Sequence, residues 1–259
     1  MSALFLEVIN NQRLASDYYL LVTQSTASAQ TRPGQFFHLK IGKKYSYDPL
    51  LRRPLSVHKV DRSKGRISFL YRIIGKGTKM LSFYQAGDRI DALGPLGKGF
   101  KTDFKNKQIL VIGGGMGIAP LYPLVDSLLN SNQVTFLIGG NNQQDLKYFL
   151  DFPINSGVIF DAASIDGSIE FKGTVIDLWE KSYSAGFNPD FLFACGPKAM
   201  LRRVKLIAEE RAIPGQVSLE ERMGCGSGVC LSCVCHTNKG NQRVCKEGPV
   251  FSLQEVSLE

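Results

Sequence analysis

Four cysteines toward the C-terminus have the side-chain type and the spacing for metal chemistry. Cys225, Cys230 and Cys233 follow the pattern C-x4-C-x2-C, and Cys245 comes after eleven intervening residues. The first of them open the run Gly224-Cys225-Gly226-Ser227-Gly228-Val229-Cys230. This spacing suits four thiolates on a [2Fe–2S] cluster. Glycines let such a loop wrap closely, because they reach backbone angles closed to other residues. The loop amides can then point at the sulfurs and stabilise their negative charge. Structural zinc is the bland alternative. Zinc ribbons, however, pair their ligands as two short knuckles, whereas here three cysteines crowd one loop and the fourth stands alone. Cys235 and Cys195 fall off the spacing and read as buried thiols, which pack as small hydrophobes. A cluster carries electrons singly, so the rest of the chain must supply their source and their sink.

The elements that position these cysteines come from 259 residues, of which 44% are hydrophobic, enough for two cored domains. The stretch Met1-Ser2-Ala3-Leu4-Phe5-Leu6-Glu7 lacks the basic and long apolar regions of a secretory signal. No segment approaches the roughly 18 uninterrupted apolar residues of a membrane span. The expectation is a cytoplasmic protein with no membrane contact, whose six cysteines serve metal or redox chemistry rather than disulfides. The net charge of +8 is scattered over Arg52, Arg53, Lys76, Lys79, Lys98, Lys101, Arg202 and Arg203. That distribution speaks against nucleic acid and for phosphate-bearing cofactors or an acidic partner surface.

Residues 1–102 read as short strands divided by turns: Tyr18 to Gln24, Phe36 to Ile41, Ser56 to Asp61 and Arg66 to Ile74. The breaks are Pro33-Gly34, Asp48-Pro49, Ser63-Lys64-Gly65 and Gly94-Pro95. Strands so spaced predict a small antiparallel β-barrel, with one short helix at Gly77 to Tyr84. Residues 103–215 alternate strand and helix, which predicts a parallel sheet covered on both faces. Its strands are Gln108 to Ile112, Val134 to Ile138, Val158 to Asp161 and Phe191 to Ala194. Its helices run through Leu121 to Leu128, Asp145 to Leu150, Thr174 to Tyr183 and Lys198 to Arg211. Residues 216–259 form a third, cysteine-bearing module.

Two glycine turns lie at the C-terminal edge of the parallel sheet, where such sheets bind ligands. Gly113, Gly114, Gly115 and Gly117 end the first strand, and Cys195-Gly196-Pro197 ends the last. Glycines here let backbone sit against a pyrophosphate, although the spacing is not the usual G-x-G-x-x-G. A tight strand-to-helix turn without ligand is the alternative for either turn alone. In the barrel, Arg52-Arg53-Pro54-Leu55-Ser56 offers a planar guanidinium for a diphosphate. Leu70-Tyr71-Arg72 and Gly75-Lys76-Gly77-Thr78 add an aromatic ring and two free amides.

R-P-L-S, L-Y-R and G-K-G-T in a barrel, followed by G-G-G-M-G-I-A-P-L and C-G-P, resemble the ferredoxin-reductase superfamily. The appended cysteine run, Val217 to Gly226 and Gly94-Pro95-Leu96-Gly97 resemble, more narrowly, the electron-transfer subunits of type B dihydroorotate dehydrogenases. The resemblance covers nearly the whole chain. It implies an FAD-binding barrel, an NAD-binding α/β domain and a [2Fe–2S] module. FAD would meet Arg53, Pro54, Leu55, Ser56, Leu70, Tyr71, Arg72, Gly77 and Thr78. The cluster would be held by Cys225, Cys230, Cys233 and Cys245. Leu55 stands where plant-type ferredoxin reductases often carry an aromatic residue, and here the dihydroorotate dehydrogenase subunit also has an aliphatic one. The partner implied is an FMN-containing catalytic subunit, two copies with two of this chain, which oxidises dihydroorotate. No orotate site is assignable within this chain. Electrons would pass from cluster to FAD to NAD+. NAD rather than NADP is expected, because the second strand of the nucleotide domain ends in Gly139-Gly140-Asn141-Asn142-Gln143-Gln144-Asp145 without a cation. A related subunit linking ferredoxin or sulfide to NAD(P) is the competing expectation.

Overall fold

The computed structural model describes residues 3–15, 17–42, 47–151 and 157–258, so Met1 and Ser2 of the N-terminal stretch lie outside it. The N-terminal part contains β1 (Ala3–Ala15), β2 (Tyr18–Gln24), β3 (Phe36–Leu39), β4 (Arg53–Ser56), β5 (Lys59–Asp61) and β6 (Arg66–Arg72). After these come α1 (Lys76–Leu81) and β7 (Arg89–Leu96). The seven strands form one sheet in the order β4-β3-β7-β1-β2-β6-β5, antiparallel throughout. Period-two burial turns one face of β7 inward. Leu6, Val8, Leu21, Phe37, Phe69 and Ile90 meet there. The expected strand from Ser56 to Asp61 is two strands, because the chain changes partner at its middle. Val57 N–H donates to Gln35 O on the β3 side (3.0 Å), and His58 N–H donates to Ser68 O of β6 (2.9 Å). That crossing brings the two ends of the sheet together. Pro54, which has no N–H, is tolerated because β4 is the edge strand.

The second part contains β8 (Gln108–Gly114), a 3-10 turn (Gly115–Leu121), α2 (Tyr122–Leu128), β9 (Gln133–Gly140) and α3 (Gln143–Asp151). It continues with β10 (Val158–Ser164), β11 (Phe171–Lys172), α4 (Val175–Ser184), β12 (Phe191–Cys195) and α5 (Lys198–Glu210). The last strands are β13 (Gly215–Ser218), β14 (Val234–Thr237), β15 (Gly240–Arg243) and β16 (Val250–Ser252). The sheet order is β11-β10-β9-β8-β12-β13-β16, parallel except where β16 pairs antiparallel with β13. Thus the cysteine-bearing segment lends a strand to the nucleotide sheet. Alternate residues of β8 serve opposite faces: Leu110 and Ile112 pack with Trp179 and Leu201, and Ile109 and Val111 pack with Leu124 and Phe136. β14 and β15 form a separate hairpin. Among the described residues no helix is long and apolar enough to cross a membrane.

His58 joins barrel to nucleotide sheet. Its Nδ1 lies 2.8 Å from Ala119 O and its Nε2 lies 2.9 Å from the Tyr148 hydroxyl. A carbonyl only accepts, so Nδ1 carries the proton and Nε2 accepts from Tyr148. Burial holds the imidazole pKa down at about 4, against about 6.5 unfolded. The neutral ring therefore contributes its full stability above pH 6.5, and that contribution is lost as pH falls toward 4. Between pH 7 and pH 5 the loss should be about 2 kcal/mol. Urea unfolding at both pH values should show it in the wild type and not in His58→Gln.

Candidate functional site

The cysteine loop follows β13 and packs its thiols in two neighbouring pairs. Cys225 and Cys230 interact as one pair, and Cys233 and Cys245 as the other. Cys245 also feels Cys225 electrostatically. Ser227 N–H donates to Cys225 Sγ (3.3 Å), and Cys245 N–H donates to Cys233 Sγ (3.4 Å). The loop is held from outside: Gly224 N–H donates to Ser232 Oγ (2.9 Å), and Arg243 Nη1 donates to Gly228 O (2.8 Å). Burial would raise the Cys225 pKa, but hydrogen bonds from Ser227 and the Cys230 backbone outweigh it and bring the thiol to about 5. The Ser232 amide likewise lowers Cys230. Burial, and then Cys233, raises Cys245 to about 12. Among the described residues no three His, Cys, Asp or Glu side chains are set around a single metal ion. Two thiol pairs with amides on their sulfurs instead suit a diiron centre, which takes two thiolates on each iron. Cys235 is buried outside both pairs, and burial raises its pKa to about 11.

Beside the loop, a cavity of about 570 Å³ opens between barrel and nucleotide sheet. Arg53, Pro54, Leu55 and Ser56 of β4, Leu70, Tyr71 and Arg72 of β6, and Thr78 of α1 line it. Gly77 stands just behind: a Cβ there would come 2.3 Å from Arg53 Nε, so the absence of a side chain lets the guanidinium lie over the start of α1. Arg52 is spent elsewhere, with its fork on both Asp91 carboxylate oxygens at 2.8 and 2.9 Å. The Tyr71 ring turns into the barrel, where it stacks on Tyr19 at 5.5 Å and donates its hydroxyl to Asn11 Oδ1 at 3.0 Å. Tyr71 thus offers the cavity mainly its strand backbone. Arg72 pairs with Asp17. Thr78 Oγ1 accepts from Ile74 N–H at 3.0 Å and fixes the entry to α1.

The two glycine turns touch. A Cβ on Gly117 would lie 2.5 Å from Gly196 N and 2.6 Å from the Cys195 carbonyl group, and one on Gly196 would lie 3.1 Å from Gly114 backbone. Gly114, Gly115 and Pro197 line both a cavity of about 520 Å³ toward β9 and one of about 450 Å³ toward the cysteine module. Gly117 and Gly196 line the latter. Gly113 and Cys195 stay one step behind: Gly113 makes room for Ile118, and the Cys195 thiol is buried, which pushes its pKa far up. The middle cavity shares Met116, Leu219, Glu220 and Glu221 with the barrel cavity. Three cavities therefore form one row, whose barrel end is lined by Arg222 and Met223 just before the cysteine loop.

Residues 220–257 match the family described as the iron-sulfur cluster binding domain of dihydroorotate dehydrogenase B. The electron transfer subunit of dihydroorotate dehydrogenase B (NAD(+)) from Desulforamulus reducens is 40% identical over 248 residues, 93% of each chain. The subunit of the same name from Geobacillus thermodenitrificans is 40% identical over 258 residues, 97% of each. The chain belongs to this family of electron transfer subunits. Among solved structures, one of the NADH-dependent reduced ferredoxin-NADP oxidoreductase, an electron-bifurcating system, aligns with a TM-score of 0.84 at 29% identity, covering 98% of this chain and 90% of that one. The competing expectation of a ferredoxin-linked subunit thus shares the build, while identity across the whole chain favours the dihydroorotate dehydrogenase family. The Amycolatopsis cytochrome P450 reductase, with a TM-score of 0.65 at 22% identity over 81% of this chain and 66% of that one, shares the fold.

The place of several residues in the row was not legible in the sequence, although Asp145 and Arg203 already figured there as part of a strand end and of the scattered charge. Glu220 is open to the cavities yet walled by protein on most sides, and this partial desolvation raises its pKa. Asp145, Asp177 and Arg203 line the cavity toward β9. Only the phase of α5 shows that Arg203 faces the same space as Asp177.

Proposed function

We propose that this subunit takes electrons from the FMN of a catalytic partner and passes them through a [2Fe–2S] cluster and FAD to NAD+, in pyrimidine biosynthesis. The row of joined cavities, which reaches Met223 beside the loop that bears the paired cysteines, carries this reading. Cys225, Cys230, Cys233 and Cys245 hold the iron. Arg53, Ser56 and Thr78, with the β6 backbone from Leu70 to Arg72, hold FAD. The turns at Gly113–Gly117 and Cys195–Pro197 hold NAD. When bound, the cluster supplies single-electron steps and the flavin couples them to hydride exchange with nicotinamide. Leu219, Glu220 and Glu221 border both the flavin and nicotinamide spaces and fix their separation. The cavity toward β9 carries two carboxylates, Asp145 and Asp177, against the single cation Arg203 that acts on Asp177, which supports NAD.

The units are 1–102 for FAD, 103–215 for NAD and 216–259 for the cluster, with β13 and β16 binding the third to the second. A cytoplasmic setting fits, because a reducing compartment keeps the thiols available for iron. The assembly is two of these chains with two FMN-bearing catalytic subunits. The purified chain, loaded anaerobically, should oxidise NADH with an artificial acceptor and leave dihydroorotate untouched. Turnover of dihydroorotate by this chain alone would refute the division of labour.

The tip of the cysteine loop supports a docking role. Val229 is 79% and Leu231 61% exposed, flanking exposed Cys230. Such apolar exposure suits a surface covered by a partner. Val229→Asp with Leu231→Asp should weaken retention of the catalytic subunit at least tenfold in pull-down titrations, because two charges would enter a buried interface. NADH oxidation with the artificial acceptor should remain.

A further inference from the structure

His38 is fully buried, and neither ring nitrogen has a hydrogen-bond partner among the described residues. It stands in β3, opposite Pro54 of the flavin-side strand β4 and Leu93 of β7. Its ring reaches from the barrel to the cysteine loop: a Cβ on Gly226 would lie 2.5 Å from His38 Nδ1. Gly226 directly follows Cys225 and holds φ at +69°, where glycine is favoured. A neutral imidazole carries one N–H and one lone pair. A leucine would fill a similar volume without burying two unpaired polar atoms, whose desolvation is costly. What the imidazole adds at this place is a donor. Across Gly226 the ring meets the Cys225 end of the thiol loop, and the nearby Arg52 is a cation fixed on Asp91.

We propose that His38 Nδ1–H donates a hydrogen bond to a sulfur on the Cys225 side of the cluster and raises its reduction potential. This rests on the reading that the four cysteines hold [2Fe–2S]. Reduction adds one negative charge to the cluster, and a donor aimed at its sulfur favours that state. The β3 strand then joins flavin barrel and cluster through one side chain, so the barrel's position sets how readily the cluster accepts an electron.

The test uses the full chain loaded anaerobically with iron, sulfide and FAD. Iron content and the EPR signal of the reduced cluster are measured first. Their absence would sink the cluster assignment, which is a separate failure from that of His38. In loaded protein with isotopically labelled histidine nitrogens, pulsed EPR of the reduced cluster should show one imidazole coupling with an exchangeable proton. His38→Leu should lose it and shift the reduction equilibrium about tenfold toward the oxidised form, about 59 mV lower for one electron. His38→Asn, whose amide N–H stands near the place of Nδ1–H, should recover most of the shift. A wild-type spectrum without that coupling overturns the proposal, as does a loaded His38→Leu protein at wild-type potential. If His38→Leu takes up no iron, the wild-type spectrum decides.

Discussion

Cys233→Ala is expected to strip the protein of iron while leaving it yellow. Cys233 is 2% exposed and packs against the other buried cysteine of its pair, Cys245. Removing it leaves one iron with a single thiolate. Loss of a mere outer hydrogen-bond partner costs about 10–100-fold in metal affinity, and loss of a ligand costs more. Electron flow from the catalytic subunit to NAD+ should fall to background. NADH oxidation through an acceptor that takes electrons from the flavin should persist, because Cys233 does not line the barrel cavity. The control is Cys235→Ala. Cys235 is also buried, two residues further along, and outside both thiol pairs. It loses a similar volume of core packing but no ligand, so iron content should stay at wild type. Iron analysis with the visible spectrum of both variants separates ligand loss from packing loss. Equal iron in the two would remove the cysteine assignment.

Local regularity made part of the fold legible. β2 runs from Tyr18 to Gln24 as its alternation predicts, and α5 ends within one residue of its expected bound. β1 was hidden because Asn10-Asn11-Gln12-Arg13 is polar and the strand shifts register twice, between Val8 and Asn10 and between Arg13 and Ala15, which destroys its period. β7 was hidden for another reason. Gly94-Pro95 reads as a break, yet the strand continues through it. A Cβ on Gly94 would lie 2.3 Å from the Phe37 ring, so the glycine there serves core packing rather than chain reversal. The same distinction governs the site. Three cysteines lie within one loop, and their spacing speaks directly. The role of Tyr71 could not be read, because which face of β6 it occupies depends on the pairing with β2. His38 sits in the apolar run Phe36-Phe37-His38-Leu39 and shows nothing until a loop from the far end of the chain is folded over it.

Gly117→Ala should abolish useful NADH binding and leave iron and FAD in place. The added methyl would lie 2.5 Å from Gly196 N and 2.6 Å from Cys195 C and O. These are backbone atoms at the end of β12, which is locked between β8 and β13, so they cannot swing aside as a side chain could. The two turns must separate, and that separation opens the surface proposed here to hold the nucleotide. A loss of at least 100-fold in NADH affinity is expected, about 2.7 kcal/mol. Gly115→Ala gives the scale for strain without collision. Gly115 has φ +53° but open space around its Cβ position. Placing alanine there costs about 1–2 kcal/mol in the left-handed region, roughly tenfold if all of it falls on the bound state. NADH titration of flavin fluorescence in both variants measures the difference. Should Gly117→Ala bind NADH as the wild type does, the contact between the glycine turns would be packing alone and the nucleotide would have to lie elsewhere. Should only Gly117→Ala lose NADH, with flavin and iron stoichiometry intact, the loss is confined to the place where β8 and β12 meet.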